Sequence, residues 1–171
     1  MKPLKIRKIE LEDYKLFKGQ HIFEFSDRIN LVRGPGGSGK TILFNALREN
    51  IMNEVPGVKV KLEGGIDEFR KNADMIFIDE KQMRKSEEAI QSSTNLSTGT
   101  KNLSVLKHIL TRRESVNKNL PLIMDTQTFS ILDQSNRDIL SQRIISLETQ
   151  IILFEQDFKG IKGDKEYNLA K

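Results

Sequence analysis

The residues best placed by type and spacing to do chemistry are Lys40 and Thr41, which end the run Gly34-Pro35-Gly36-Gly37-Ser38-Gly39-Lys40-Thr41. The run satisfies G-x-x-x-x-G-K-[ST] in full. An apolar stretch, Ile29 to Val32, precedes it, and a helix-like one (Ile42, Leu43, Ala46, Leu47) follows it. Strand, glycine-rich loop and helix in that order form a cradle for phosphate. Glycines let backbone N–H groups turn inward without Cβ clashes, and the helix N-terminus adds partial positive charge. The lysine of such a loop reaches the β- and γ-phosphates, and the hydroxyl after it ligates Mg²⁺. A glycine-rich turn holding a lysine by chance would not need both flanks. The expected binding set is Gly34, Gly36, Gly37, Ser38, Gly39, Lys40, Thr41 and Ile42 around a nucleoside triphosphate.

Three acidic residues close other apolar runs: Asp79 after Met75 to Ile78, Asp125 after Leu122 to Met124, and Glu155 after Ile151 to Phe154. If those runs are parallel strands, ligands belong at their carboxyl ends, and all three acids should share one edge with Lys40. His21 and His108 stand in no metal-ligand spacing, so surface or core packing accounts for them.

The elements that must position these groups follow from periodicity. Ile6, Ile9 and Leu11, then Ile22, Phe23 and Phe25, predict two short strands around a turn at Lys18-Gly19-Gln20. The helix after Thr41 should reach about Asn53 and stop before Val55-Pro56-Gly57. Val58, Val60 and Leu62 alternate with lysines, a half-exposed strand closed by Gly64-Gly65. Met75 to Ile78 predicts a buried strand, and 83–95 turns polar, partly helical and then a loop. Leu103, Leu106 and Leu110 fall at helical spacing, with Ser97 or Thr100 available as N-cap. Leu120 to Met124 and Ile151 to Phe154 predict further buried strands, with a helix carrying Ile139, Leu140, Ile144 and Leu147 between them. The tail, Gly160 to Lys171, should fray or pair as a terminal hairpin. Strands alternating with helices after a hairpin give an α/β core with a mostly parallel sheet, in one domain over residues 1–171.

Composition bounds the partners. Hydrophobic content of 37% and charged content of 30% fit a globular chain and not a disordered one. No apolar run could cross a bilayer, and the N-terminus lacks the apolar segment of a secretory signal. The absence of cysteine excludes disulfides and thiolate metal sites and agrees with a cytoplasmic setting. The net charge of +4 is compatible with nucleic acid, but 24 acidic residues are mixed among 28 basic ones.

The order of motifs resembles the ABC-type ATPase heads of the SMC/RecF/OLD group, in a minimal form lacking a coiled coil or helical insertion. The opening from Ile6 to Gly19 is similar to their first strand and following turn, in which Lys15 either contacts nucleotide or is simply solvated. Arg33 to Thr41 matches their G-P-N-G-S-G-K-S loop with Gly36 in place of Asn. Gln82 falls at the Q-loop position, and Leu96-Ser97-Thr98-Gly99-Thr100-Lys101 is similar to the signature motif. Leu122 to Asp125 fits Walker B, and Ser130-Ile131-Leu132-Asp133 fits the D-loop. Three departures stand out. Only residues 83–95 separate Gln82 from the signature, Thr126 replaces the usual general-base glutamate, and Gln156 replaces the switch histidine.

The resemblance implies ATP and Mg²⁺, with Thr41, Gln82 and Asp125 around the metal. It implies Lys40, Gln82, Asp125, Thr126 and Gln156 around the reaction. In this class Ser97 and Gly99 of one subunit close over the ATP on a second copy, with Asp133 across the same interface. Hydrolysis is in question because a threonine hydroxyl is a poor base at neutral pH. One reading is a slow ATPase in DNA maintenance, repair or defence, alone or with a nuclease. Another is a nucleotide switch, non-hydrolysing or heterodimeric, that signals to a protein partner. A third takes Asp79-Glu80 as the Walker B pair of an AAA+ or RecA-like ATPase.

Overall fold

The first strand buries Ile6, Ile9, Leu11 and Tyr14, and a register shift between Ile6 and Lys8 interrupts its alternation. The computed structural model of the chain describes residues 3–79, 81–83, 98–125, 133–155 and 160–170. Strand β1 (Lys5–Tyr14) buries Ile6, Ile9 and Leu11. It lies between β2 (Phe17–Glu24) and β4 (Val58–Glu63), both antiparallel to it. Lys59 and Lys61 of β4 face solvent, as the alternation requires.

The second sheet is parallel throughout. It contains β3 (Ile29–Arg33), β5 (Phe77–Ile78), β6 (Leu122–Asp125), β7 (Ile151–Glu155) and β8 (Lys165–Asn168), in the order β5-β6-β7-β3-β8. Every residue of β6 and β7 is buried, because both faces are covered. On one face Val32, Ile123, Ile152 and Phe154 pack with Leu43, Phe44 and Leu47 of α1 (Lys40–Met52) and with the antiparallel sheet. On the other, Leu31, Met124, Ile151 and Leu153 meet α4 (Thr98–Asn117) and α5 (Gln134–Ile145), through Leu103, Leu106 and Leu110 and through Leu140 and Ile144. The short helices α2 (Ile66–Lys71) and α3 (Ala73–Ile76) lead into β5.

Buried polar groups join the layers. The Gln150 side chain accepts from the Ile6 N–H at 2.8 Å and donates to the Ile6 and Ser26 carbonyls at 2.8 and 2.9 Å, tying the two sheets together. Arg113 of α4 is 3% exposed and donates to the carbonyls of Met75, Leu120 and Pro121 at 2.6 to 2.8 Å. Burial pushes its guanidinium down to about 10, while the charge of Glu114 acts in the opposite direction.

The α/β class, the opening hairpin, the helix after Thr41 and the buried strands at Leu122 and Ile151 are all present. Four details differ from the sequence reading. The β1–β2 reversal lies at Lys15-Leu16, with Asp13 and Lys15 at φ 46° and 51°, while Gly19 sits inside β2 with its N–H bonded to the Asp13 carboxylate. Met75 and Ile76 are helical, leaving β5 only two residues. Thr100 lies within α4 and is not its cap. Residues 165–168 form neither a frayed tail nor a hairpin; they run parallel to β3 as β8. The Tyr167 hydroxyl bonds to the Glu24 backbone at 2.9 and 3.0 Å and holds that strand against β2.

Candidate nucleotide-binding site

Strand β3 ends at Arg33, and the chain then winds through Gly34 to Gly39 into α1. Two glycines are required by geometry. Gly39, the residue that caps α1, has φ 105°, and a Cβ there would lie 2.8 Å from the Phe17 ring. A Cβ on Gly34 would press into Ser38 and come within 2.8 Å of the Leu169 carbonyl. The Ser38 N–H closes the loop on the Pro35 carbonyl at 3.1 Å. The first-turn N–H groups of a helix have no intrahelical partner. Among the described residues no side chain caps them, and no acidic residue occupies the first turn. The Ser38 hydroxyl is buried with no hydrogen-bond partner among the described residues. Such an arrangement of donors suits an anion.

The Lys40 ammonium folds back onto the Gly34 carbonyl and the Pro35 carbonyl, the latter at 3.2 Å. Burial holds it below the ordinary lysine value, and the charges of Asp125 and Glu155 oppose that shift. Beside it the Thr41 hydroxyl donates to Asp125 Oδ2 at 3.1 Å. Asp125 closes β6 and is 8% exposed. Two oxygen groups therefore converge at the mouth of the loop, which suits Mg²⁺, an ion that takes few protein ligands and keeps several waters. The donor set fits: a hydroxyl unsatisfied among the described residues, a glycine-led helix start and a hydroxyl–carboxylate pair all belong to residues 38–41 and Asp125.

Asp125 and Glu155 close β6 and β7 and Asp79 follows β5, so all three stand at the carboxyl ends of parallel strands. Their surroundings separate them. Asp79 receives Arg48 of α1 at 2.6 Å on one oxygen and the Gln82 N–H at 2.8 Å on the other. Burial would raise its pKa, but those two hydrogen bonds and the Arg48 charge outweigh it and hold the carboxyl below its usual value. Gln82 thus stands beside Asp79, with its backbone fixed through Arg48 to the helix that carries Lys40. Glu155 is 1% exposed and accepts from Arg33 Nε at 3.1 Å.

Gly99 lies in the first turn of α4. Asp133 caps α5, accepting from the Asn136 N–H at 2.8 Å. Ser97, Thr126 and Gln156, together with Glu80 and the rest of the D-loop run, fall outside the described residues. Sequence reasoning missed the Arg33–Glu155 and Arg48–Asp79 pairs and the approach of Leu169 to the loop. Only the place of Arg33 directly before Gly34 hinted at a role.

A family model described as an AAA domain matches residues 8–169. The chain belongs to that family. Among solved structures, this AAA domain is similar to an SMC head domain from Thermotoga maritima, with TM-score 0.66 and 17% identity over 90% of this chain and 89% of that one. It is also similar to an ABC transporter ATP-binding protein from Pyrococcus furiosus, with TM-score 0.54 and 14% identity over 98% of both chains. No curated protein matches it. The AAA domain is thus a P-loop ATPase-type domain with the fold of SMC heads and ABC ATP-binding proteins. No helix among the described residues is long and apolar enough to cross a membrane.

Proposed function

We propose that the chain binds ATP·Mg²⁺ and works as an ATP-driven pair of heads that hydrolyses slowly. The observation that carries this reading is the Thr41–Asp125 contact at an uncapped, glycine-led helix start. Lys40 exchanges the carbonyls of Gly34 and Pro35 for phosphate oxygens, and the loop N–H groups with the Ser38 hydroxyl complete the cradle. Thr41 and Asp125 would hold the metal, and Gln82 is the residue that the family resemblance adds to them. Bound Mg²⁺ neutralises charge that develops on the phosphates.

The order of loop and signature in one chain supports a closed pair. Ser97 and Gly99 of one copy would cover the γ-phosphate on Lys40 of the other, so that triphosphate joins two chains through charge-assisted hydrogen bonds. Loss of the γ-phosphate would release them. The basic balance of the chain and its likeness to an SMC head support DNA as the object of that cycle, in maintenance, repair or defence, with a nuclease as one kind of protein partner. The test is molar mass in solution with ATP·Mg²⁺ and with ADP. Wild type should double in mass only with ATP, whereas Lys40→Ala and Ser97→Arg stay monomeric. A wild-type monomer in saturating ATP would overturn the pairing.

One observation favours a second reading. Thr126 follows Asp125 where a glutamate would activate water, which suits a nucleotide switch, homodimeric or heterodimeric, that signals by binding. Absence of phosphate release at saturating ATP, with ATP-dependent pairing intact, would favour it.

A further inference from the structure

The threonine at 126 raises the question of which group could take a proton from an attacking water. A Walker B glutamate directly follows its aspartate, so it leaves the strand on the face opposite that aspartate, one step nearer the carboxyl edge. The sheet carries a carboxylate at that level on the adjacent strand. Asp125 of β6 is the register partner of Phe154 of β7, and Glu155 stands one step beyond. Asp125 follows the alternation of Ile123, on the α1 side of the sheet, whereas Glu155 follows Ile151 and Leu153 on the other. Neighbouring strands are about 5 Å apart, roughly the reach of a glutamate side chain. We infer that Glu155 is the catalytic carboxylate of this site, moved from the strand of Asp125 to the strand beside it.

Its surroundings fit the role. Glu155 lies between β6 and β3, directly across from Arg33, the residue that precedes the loop. Burying a carboxylate this completely is costly unless a partner compensates. Arg33 does so through Nε at 3.1 Å while also reaching Glu166 of β8 at 3.5 Å and the Ile161 carbonyl at 3.4 Å, which fixes the guanidinium and orients the acid. The charge of Glu155 is also felt at Lys40, which places it in the electrostatic field of the phosphate site. In the reaction the water oxygen bonds to the γ-phosphorus, the bond from that phosphorus to the β–γ bridging oxygen breaks, and ADP leaves with the bond's electron pair. The water proton passes to the Glu155 carboxylate and from there to solvent.

The inference rests on the ATP-binding reading, and the two fail separately. ATP binding that is present in wild type and lost in Lys40→Ala judges the site. Turnover judges Glu155. Removing a general base lowers kcat by about 10²–10⁴-fold. Glu155→Gln should therefore lose at least about 10²-fold in kcat while ATP affinity stays within about threefold. Thr126→Glu added to Glu155→Gln should restore at least about tenfold of it, because it returns a carboxylate to the familiar sequence position directly after Asp125. A purely structural loss would not be rescued in that way. Should Glu155→Gln fail to fold, Glu155→Asp keeps the charge and retracts the acid by one methylene; kcat should fall about tenfold at unchanged affinity. A wild type without turnover, a Glu155→Gln or Glu155→Asp kcat equal to wild type, or a joint loss of kcat and ATP binding without rescue would each overturn the inference.

Discussion

Gly39 is where the geometry of the loop can be tested most sharply. Its φ of 105° lies in the left-handed region, and a Cβ would sit 2.8 Å from Phe17 Cζ and 3.1 Å from Cε2. Gly39→Ala therefore has two separable costs. Left-handed backbone costs an L-residue about 1–2 kcal/mol. Forcing a methyl into a packed site costs about 1–3 kcal/mol. Phe17 cannot simply retreat, because its ring packs edge-on against Phe23 and His21 at 6.1 and 5.3 Å. The expected loss is about 2–5 kcal/mol in urea unfolding, with ATP affinity falling because this residue caps α1 directly before Lys40. In the double variant Gly39→Ala/Phe17→Leu, the packing part should be relieved and the backbone part should remain. That appears as a coupling of about 1–3 kcal/mol in the double-mutant cycle. A Gly39→Ala protein within about 0.5 kcal/mol of wild type, or a cycle without coupling, would refute the reasoning.

Arg113→Ala strands the carbonyls of Met75, Leu120 and Pro121 together. A buried unsatisfied group costs about 1–3 kcal/mol, so the variant should lose at least about 3 kcal/mol in denaturant unfolding, and Arg113→Lys should recover only part of it. Asp79 has its pKa lowered by folding, so its stabilisation is full above the unfolded carboxylate value and lost as pH falls through the folded one. The stability gap between wild type and Asp79→Asn should be about 1 kcal/mol or less at neutral pH, since the Arg48 pair is part-exposed, and should close on acidification below about pH 4.

The loop was legible because its chemistry is local: glycine spacing, a lysine, a hydroxyl and two flanks suffice to place Gly34 to Thr41 at a strand–helix junction. Strands β6 and β7 were legible because fully buried parallel strands read as continuous apolar runs. The run from Met75 to Ile78 looked the same, yet half of it is helix, since four apolar residues carry no period that separates the two. Gly19 suggested a turn but lies inside β2 at φ 75°, and the reversal fell to Asp13 and Lys15, which lack a glycine signal. Asp79 and Asp125 are equivalent in sequence, each ending an apolar run. What distinguishes them is distant: Arg48, 31 positions away, claims one, and Thr41, 84 positions away, meets the other. The pairing of β4 with β1 and the buried place of Arg113 were equally invisible, because no local pattern encodes a partner so remote in the chain.

The most direct measurement is calorimetric titration of ATP into the protein with and without Mg²⁺, comparing wild type, Asp125→Asn, Thr41→Ala and Asp79→Asn. Wild type should bind ATP more tightly with Mg²⁺ than without it. Asp125→Asn and Thr41→Ala should lose most of that gain while still binding free ATP through the loop, and Asp79→Asn should keep it. Loss of the Mg²⁺ gain in Asp79→Asn with its retention in Asp125→Asn would contradict the site described here and move the metal to the other aspartate.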